Sequence, residues 1–283
     1  MVNAEPAFMT DSPSSRPMSR RGVLRAGAGA GAAVLGASAL LIPTSSASAH
    51  GSLISRADIN GIPLYYQDLN TGNVSPTSFL FDPTVYSMLG TWLNFYYLNT
   101  PVPYRWPGAI YCNGTHVDKG GMHQYGRAMD ISAIMMTHLS WGWFDAFNAR
   151  WDQWGSGPHA AEYQRRYWAT VAGMSMHFRH TLHWADPDTE HNNHAHVDNA
   201  VSGGGLSNFT TSSTTQVRMV QAVCRYIFGL GTSVDGSFGS QTDSHSRAVI
   251  AASGWGGGIR DSQQNWHRFC WAGQRAGHGM PIT

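Results

Sequence analysis

Apolar positions along the chain follow two periods, and the switches between them lay out the elements. Behind Asp82-Pro83, the residues Val85, Leu89, Trp92, Leu93 and Tyr96 recur at intervals of three and four. That spacing predicts a helix with Asp82 as N-cap and Pro83 in its first turn. A proline-rich loop follows, from Pro101 to Pro107, carrying Tyr104-Arg105. From Ala128 to Ile134 the period is two, with Met129 and Ile131 on one face and Asp130 and Ser132 on the other, as in a half-buried strand. Helical spacing returns over Leu139, Phe144, Phe147 and Trp151, stopped by Gly155-Ser156-Gly157-Pro158. It returns again over Tyr163, Tyr167, Val171, Met174, Phe178 and Leu182. Residues 194–201 alternate as a second strand.

Gly203-Gly204-Gly205 and the Thr/Ser run from Thr210 to Thr215 read as a linker. Beyond it lie three helical patterns, Val217 to Phe228, Ser240 to Ala252 and Asp261 to Ala272. The fold class expected is therefore α+β: a small antiparallel sheet with flanking helices, then a three-helix C-terminal domain. Its boundaries are residues 50–207 for the first part and 208–283 for the linker and the helices.

Composition changes this picture at the N-terminus. Of 283 residues, 42% are apolar and 12% charged, enough for a sizeable core. The formal net charge of +1 conceals four arginines in residues 1–49, set against Glu5 and Asp11. Without them the remainder is slightly acidic and has no basic stripe, which argues against nucleic acid as a partner. Ser19-Arg20-Arg21-Gly22-Val23-Leu24, an apolar Gly/Ala-rich run to Ile42, and Ala47-Ser48-Ala49 together resemble a twin-arginine export signal. Val23 stands where that motif usually has Phe. Cleavage after Ala49 and a secreted or wall-located monomer, with no stable membrane association, are the expectation. In an oxidising compartment Cys224 and Cys270 are free to pair, pinning the first C-terminal helix to the third and stabilising it by about 2–4 kcal/mol. Cys112 is left over, and none of the three has a zinc-type CxxC spacing.

The chemistry lies in two stretches, HQYGRAMD (His123 to Asp130) and NNHAHVDN (Asn192 to Asn199). If the two strands are neighbours in an antiparallel sheet, His194, His196 and Asp198 share the face that bears Asp130. His123 stands just ahead, in a glycine-flanked turn. Two imidazoles and a carboxylate suit Zn²⁺, and three protein ligands leave one position open for catalysis.

The pattern His123-x-x-Gly126-x-Ala128-x-Asp130 followed by His194-x-His196 resembles the zinc D-peptidases of the cell wall. That group includes D-Ala-D-Ala carboxypeptidases, penicillin-insensitive murein endopeptidases and extensin-like C-terminal proteins. The resemblance, spanning roughly Phe79 to Ser202, implies that His123, Asp130 and His196 bind zinc and that Tyr104-Arg105 is the upstream Tyr-Arg pair. Arg105 then holds a developing oxyanion or a substrate carboxylate. The carboxypeptidase branch has a Glu general base three residues before the last ligand, where this chain has Asn193; Glu190 falls on the wrong count. The His-x-His of the endopeptidase and extensin-like branches is matched, which assigns proton transfer to His194 with His191 assisting.

Ser233-Val234-Asp235-Gly236-Ser237-Phe238-Gly239-Ser240-Gln241-Thr242 resembles the signature of small three-helix peptidoglycan-binding domains, with Ser240 or Thr242 as a candidate cap of the second helix. Together the resemblances imply a zinc-dependent hydrolase of a peptidoglycan stem or cross-bridge amide, with the endopeptidase mode favoured and a D-Ala-D-Ala carboxypeptidase as the alternative. Two other readings stand beside it. One is a wall-binding protein in which zinc only holds the fold. The other is a copper monooxygenase using an N-terminal His50, which leaves HQYGRAMD unexplained.

Overall fold

The strand that carries Asp130 is the axis of the molecule, and its neighbours decide what meets it. The computed structural model describes residues 52–101, 104–117, 120–138, 142–188, 190–200 and 203–283, with residues 104–107 by backbone alone. The export-signal reading, His50, Leu139 and Val201-Ser202 lie outside the described residues. From Ser52 onward the described residues form one compact unit.

Ten strands and six α-helices are described. A two-stranded antiparallel sheet pairs β1 (Ile54–Arg56) with β5 (Phe79–Phe81). The larger sheet contains β2 (Asp58–Ile59), β3 (Ile62–Gln67), β6 (Tyr104–Gly114), β7 (Ala128–His138), β10 (Ala195–Asp198) and β9 (His180–Leu182), in that spatial order. In addition, β4 (Val74–Pro76) pairs with β3, and β8 (Gly142–Asn148) pairs with β7. Every pairing is antiparallel except β3 with β6, so the α+β class holds with a larger, mixed sheet.

Helix α1 (Pro83–Leu98) starts as its sequence dictates: Asp82 Oδ1 accepts from the Thr84 and Val85 amides at 2.9 and 3.1 Å. Its apolar stripe of Val85, Leu89, Trp92, Leu93 and Tyr96 is buried. The helix expected over Leu139 to Trp151 is instead β8 followed by the single turn α2 (Trp151–Trp154). The reason is tertiary. Strand β10 covers only residues 128–131 of one edge of β7, and 142–148 supply the backbone partners for 133–138 of that edge.

Helix α3 (Ala160–His177) also stops short of the expected Leu182. Phe178 turns extended at ψ 146°, and Leu182 becomes part of β9, opposite His196. The strand expected over 194–201 is confined to Ala195–Asp198, because Ala200 adopts a left-handed φ of 54°.

The C-terminal helices are α4 (Thr214–Ala222, continued by a π turn to Ile227), α5 (Ser240–Ala252) and α6 (Gln263–Gly277). Neither Ser240 nor Thr242 caps α5; its N-cap is Gly239, and Thr242 Oγ1 instead accepts from Gln221 at 3.1 Å. Helix α6 lies directly on α3. A methyl placed on Gly277 would come within 2.5 Å of Ala169 Cβ and 2.9 Å of the Arg165 carbonyl, so only glycine permits this approach. Between the sheet and these helices, Ser207 donates its amide to Met176 O, and Trp266 Nε1 donates to Ser207 Oγ at 2.8 Å. Cys112, Cys224 and Cys270 are all free and buried, so the Cys224–Cys270 bridge is not formed. Burial pushes the Cys224 thiol up to about 12 and Cys270 well above the usual range, as it does Cys112.

Candidate metal centre

Local geometry at residues 121–130 is set by one glycine and one arginine. Gly126 sits at φ 64°, and a Cβ there would meet Asp82 N at 3.0 Å. Its carbonyl accepts from the Asp82 amide at 2.9 Å, tying the turn to the start of α1. Arg127, nearly buried, donates to Asp82 Oδ1 at 2.8 Å and to the Ala200 and Gly203 carbonyls. It thereby fastens the beginning of β7 to the chain leaving β10. The sequence pattern gave no sign of this clamp, because its partners are backbone carbonyls and a residue forty-five positions away.

In the β7–β10 ladder His196 faces Asp130 directly, while Ala195 and Val197 face Ile131 and Met129. Period two then turns the apolar pairs into the core and the polar pair into a cleft. A short 3₁₀ turn, Met122–Tyr125, brings His123 to the same place. The result is a buried group in which His196 Nδ1 lies 2.9 Å from Asp130 Oδ1. His123 Nε2 lies 3.2 Å from both Asp130 Oδ1 and His196 Nδ1. This group could hold a metal ion.

The outer hydrogen bonds favour that use. The Thr115 carbonyl can only accept, so His123 Nδ1 carries the proton in their 2.6 Å contact, leaving Nε2 as a lone pair facing the cluster. His196 Nε2 donates to Asp198 Oδ2 at 3.0 Å, which likewise leaves Nδ1 as the inward nitrogen. Asp198 is itself held by His180 Nδ1 at 2.8 Å and the Ala200 amide at 2.9 Å. Ligating histidines are oriented by such second partners, a carboxylate or a carbonyl. Tetrahedral zinc at about 2.0–2.1 Å from each ligand sets its donors roughly 3.3 Å apart, close to the spacing found. The residues present therefore fit the ion.

Without an ion the electrostatics favour a second proton on His196, which a bound metal would displace. Burial alone would lower the His196 pKa, but Asp130 and Asp198, on opposite ring nitrogens, outweigh it and raise the value to about 9. Burial would likewise raise the Asp130 and Asp198 carboxyls; their histidine partners hold both well below the usual range. His194 is the contrast. Burial, with His191, His196 and His123 adding positive neighbours against the pull of Asp130, lowers it to about 4.

His194, just ahead of β10, donates from Nδ1 to Asn193 Oδ1 at 2.8 Å and turns Nε2 toward Asp130 Oδ1, 3.7 Å away. His191 packs its ring 5.1 Å from that of His194 and pairs through Nδ1 with Asp188 Oδ1 at 3.3 Å. Asp130, Asp188, His191 and His194 line one cleft of about 800 Å³ with His123 and His196, and Glu190 and Leu182 also border it. Of the six site residues read from the sequence, His123, Asp130, His191, His194 and His196 are thus brought together. Arg105 belongs to β6, and its side chain lies outside the described residues. Thr115, His180 and Asp188 were missed. Thr115 acts through its carbonyl and leaves no signal, whereas His180 and Asp188 are ordinary polar residues until β9 and the following loop fold back. No family model matches the chain, and neither a curated protein nor a solved structure matches it.

Proposed function

We propose that this chain is an exported, zinc-dependent peptidoglycan hydrolase that cuts an amide of the peptide stem or cross-bridge. The observation that carries the reading is the convergence of His123 Nε2, His196 Nδ1 and Asp130 Oδ1, with the outer ring protons already engaged. Beside them His194 presents an unprotonated nitrogen to an open cleft. Zinc, when bound, supplies Lewis acidity that polarises an amide carbonyl and makes water acidic enough to attack at neutral pH.

The protein's own groups do the rest. Thr115 and Asp198 hold the two ligand rings in one tautomer each. Asn193, by accepting from His194 Nδ1, fixes Nε2 as the site that takes a proton from the attacking water and returns it to the leaving amine. His191, braced by Asp188, packs its ring against that of His194 and assists by holding it in place. Arg105 is assigned the developing oxyanion or a substrate carboxylate on the resemblance alone. Asn193 as a positioning amide, where a carboxypeptidase carries a carboxylate base, supports the endopeptidase mode.

The test is a digest of purified peptidoglycan by residues 50–283, with zinc-loaded, chelated and His194→Ala samples compared by mass spectrometry. Zinc-dependent release of cross-link fragments, reduced about 10²–10⁴-fold by His194→Ala, is the expected result. Release of terminal alanine alone would move the protein to the carboxypeptidase mode. No product from a folded, zinc-loaded sample would end the hydrolase reading and leave a wall-binding protein.

A further inference from the structure

The loop from Pro187 to His194 has two sides. One borders the metal cleft through Asp188, His191 and His194; the other, at Asn192, borders a separate groove of about 440 Å³. The walls of that groove are aromatic. Trp151 and Trp184 stack with centroids 4.8 Å apart and planes 9° from parallel, and Tyr226 of the α4 π turn faces the same space. Trp184 is braced from behind by Trp168 at 5.6 Å, so the platform is held before any ligand arrives.

Residues that line the same groove also carry buried polar atoms without partners. Asp186 is only 5% exposed; its Oδ2 accepts from the His183 amide, but its Oδ1 has no partner. Trp184 Nε1 and Arg218 Nε are also unpartnered, although the other Arg218 nitrogens are engaged by the Ala185 and Asp235 carbonyls. Asn192 has its carbonyl fixed by the Asp152 amide and adds a side-chain amide at the rim. Buried polar atoms without partners are uncommon, and several around one concave aromatic surface point to a ligand.

We propose that this groove binds a sugar ring of the glycan strand. The inference rests on the peptidoglycan reading and names the half of the substrate that the metal cleft leaves out. A pyranose offers an apolar C–H face for the indole and phenol rings and a rim of hydroxyl and acetamido groups for Asp186, Asn192 and Arg218. Asp186 and Arg218 are both tied into the protein and opposite in sign, so the groove selects a neutral ligand. The stem peptide, with its charges, belongs to the cleft bordered by Asp188 and Glu190 on the other side of the loop.

The test reads binding, not cleavage, so a failure of hydrolysis leaves its outcome intact. Residues 50–283 are titrated with a peptide-free tetramer of β-1,4-linked N-acetylglucosamine, followed by calorimetry and by the indole N–H signals of Trp151 and Trp184 in NMR. Binding that shifts those signals and weakens about tenfold or more in Trp151→Leu and Tyr226→Leu is expected. Absence of binding at millimolar sugar, or affinity retained in both folded variants, overturns the proposal. A stem peptide that shifts the same indole signals while the sugar does not also overturns it. Should either variant misfold, the wild-type indole shifts decide alone.

Discussion

Replacing Asp198 with asparagine separates the orientation of a metal ligand from the ligand itself. The carboxylate accepts on both sides: from His196 Nε2 through Oδ2, and from His180 Nδ1 and the Ala200 amide through Oδ1. Asparagine has one acceptor oxygen and one donor group, so in either orientation an N–H faces another donor. The residue is buried, and water cannot readily repair the mismatch. Loss of such a partner typically costs 10–100-fold in metal affinity, or about 1.4–2.7 kcal/mol. At saturating metal the stabilisation that zinc confers falls by the same amount. For a domain of this size that is a drop of about 3–10 °C in the zinc-loaded Tm. Zinc affinity is measured by competition with a chromophoric chelator, and thermal melts are recorded with and without the ion. A variant that melts like wild type without zinc, yet binds zinc within about twofold of wild type, would refute the role of Asp198 and with it the assignment of His196 as a ligand.

Three further expectations follow from groups outside the cleft. His278 is fully buried, beside Arg165 and Arg166 and edge-on to Tyr96, and burial with those two cations lowers it to about 3. Its depressed pKa contributes stability that is complete above about pH 6.5 and is lost as pH falls toward 3. Urea melts between pH 7.5 and 4.5 should show a loss about 3 kcal/mol smaller in His278→Gln than in wild type. Gln221 bonds the Asp235 and Gly236 amides through Oε1, and Asp235 Oδ1, Ser237 O and Thr242 Oγ1 through Nε2. Gln221→Ala should therefore cost about 2–4 kcal/mol by chemical denaturation, against nearly nothing for the exposed Gln264→Ala. The three thiols, buried and raised in pKa, should resist a thiol reagent at pH 8 in the native protein and react on unfolding.

What could be read in the sequence were the features that repeat locally. The Asp82-Pro83 start of α1 depends on contacts within three residues, and the alternation around Asp130 and His196 depends on strand period alone. The metal group was legible because those two signals coincide with a histidine in a glycine turn. Phe144 and Phe147 misled, since two aromatics three apart satisfy a helix, while only the open edge of β7 decides for a strand. Arg127, Thr115 and His180 act through partners brought in by other strands, and no short pattern announces them. The parallel pairing of β3 with β6 is invisible for the same reason.

The glycine contact between α6 and α3 bears on how such a molecule would handle a polymer. A binding module on a slack tether raises local concentration by an amount set by tether length and searches freely within its reach. Here Gly277 of α6 sits against the Ala169 methyl and the Arg165 carbonyl of α3, within one compact unit that also holds Tyr226, Trp184 and His194. On the proposed reading the arrangement would behave as a caliper with its jaws set, the sugar groove and the metal cleft lying at one separation and one angle. Along a strand whose side branches rotate from unit to unit, such a tool acts only on branches presented at that angle.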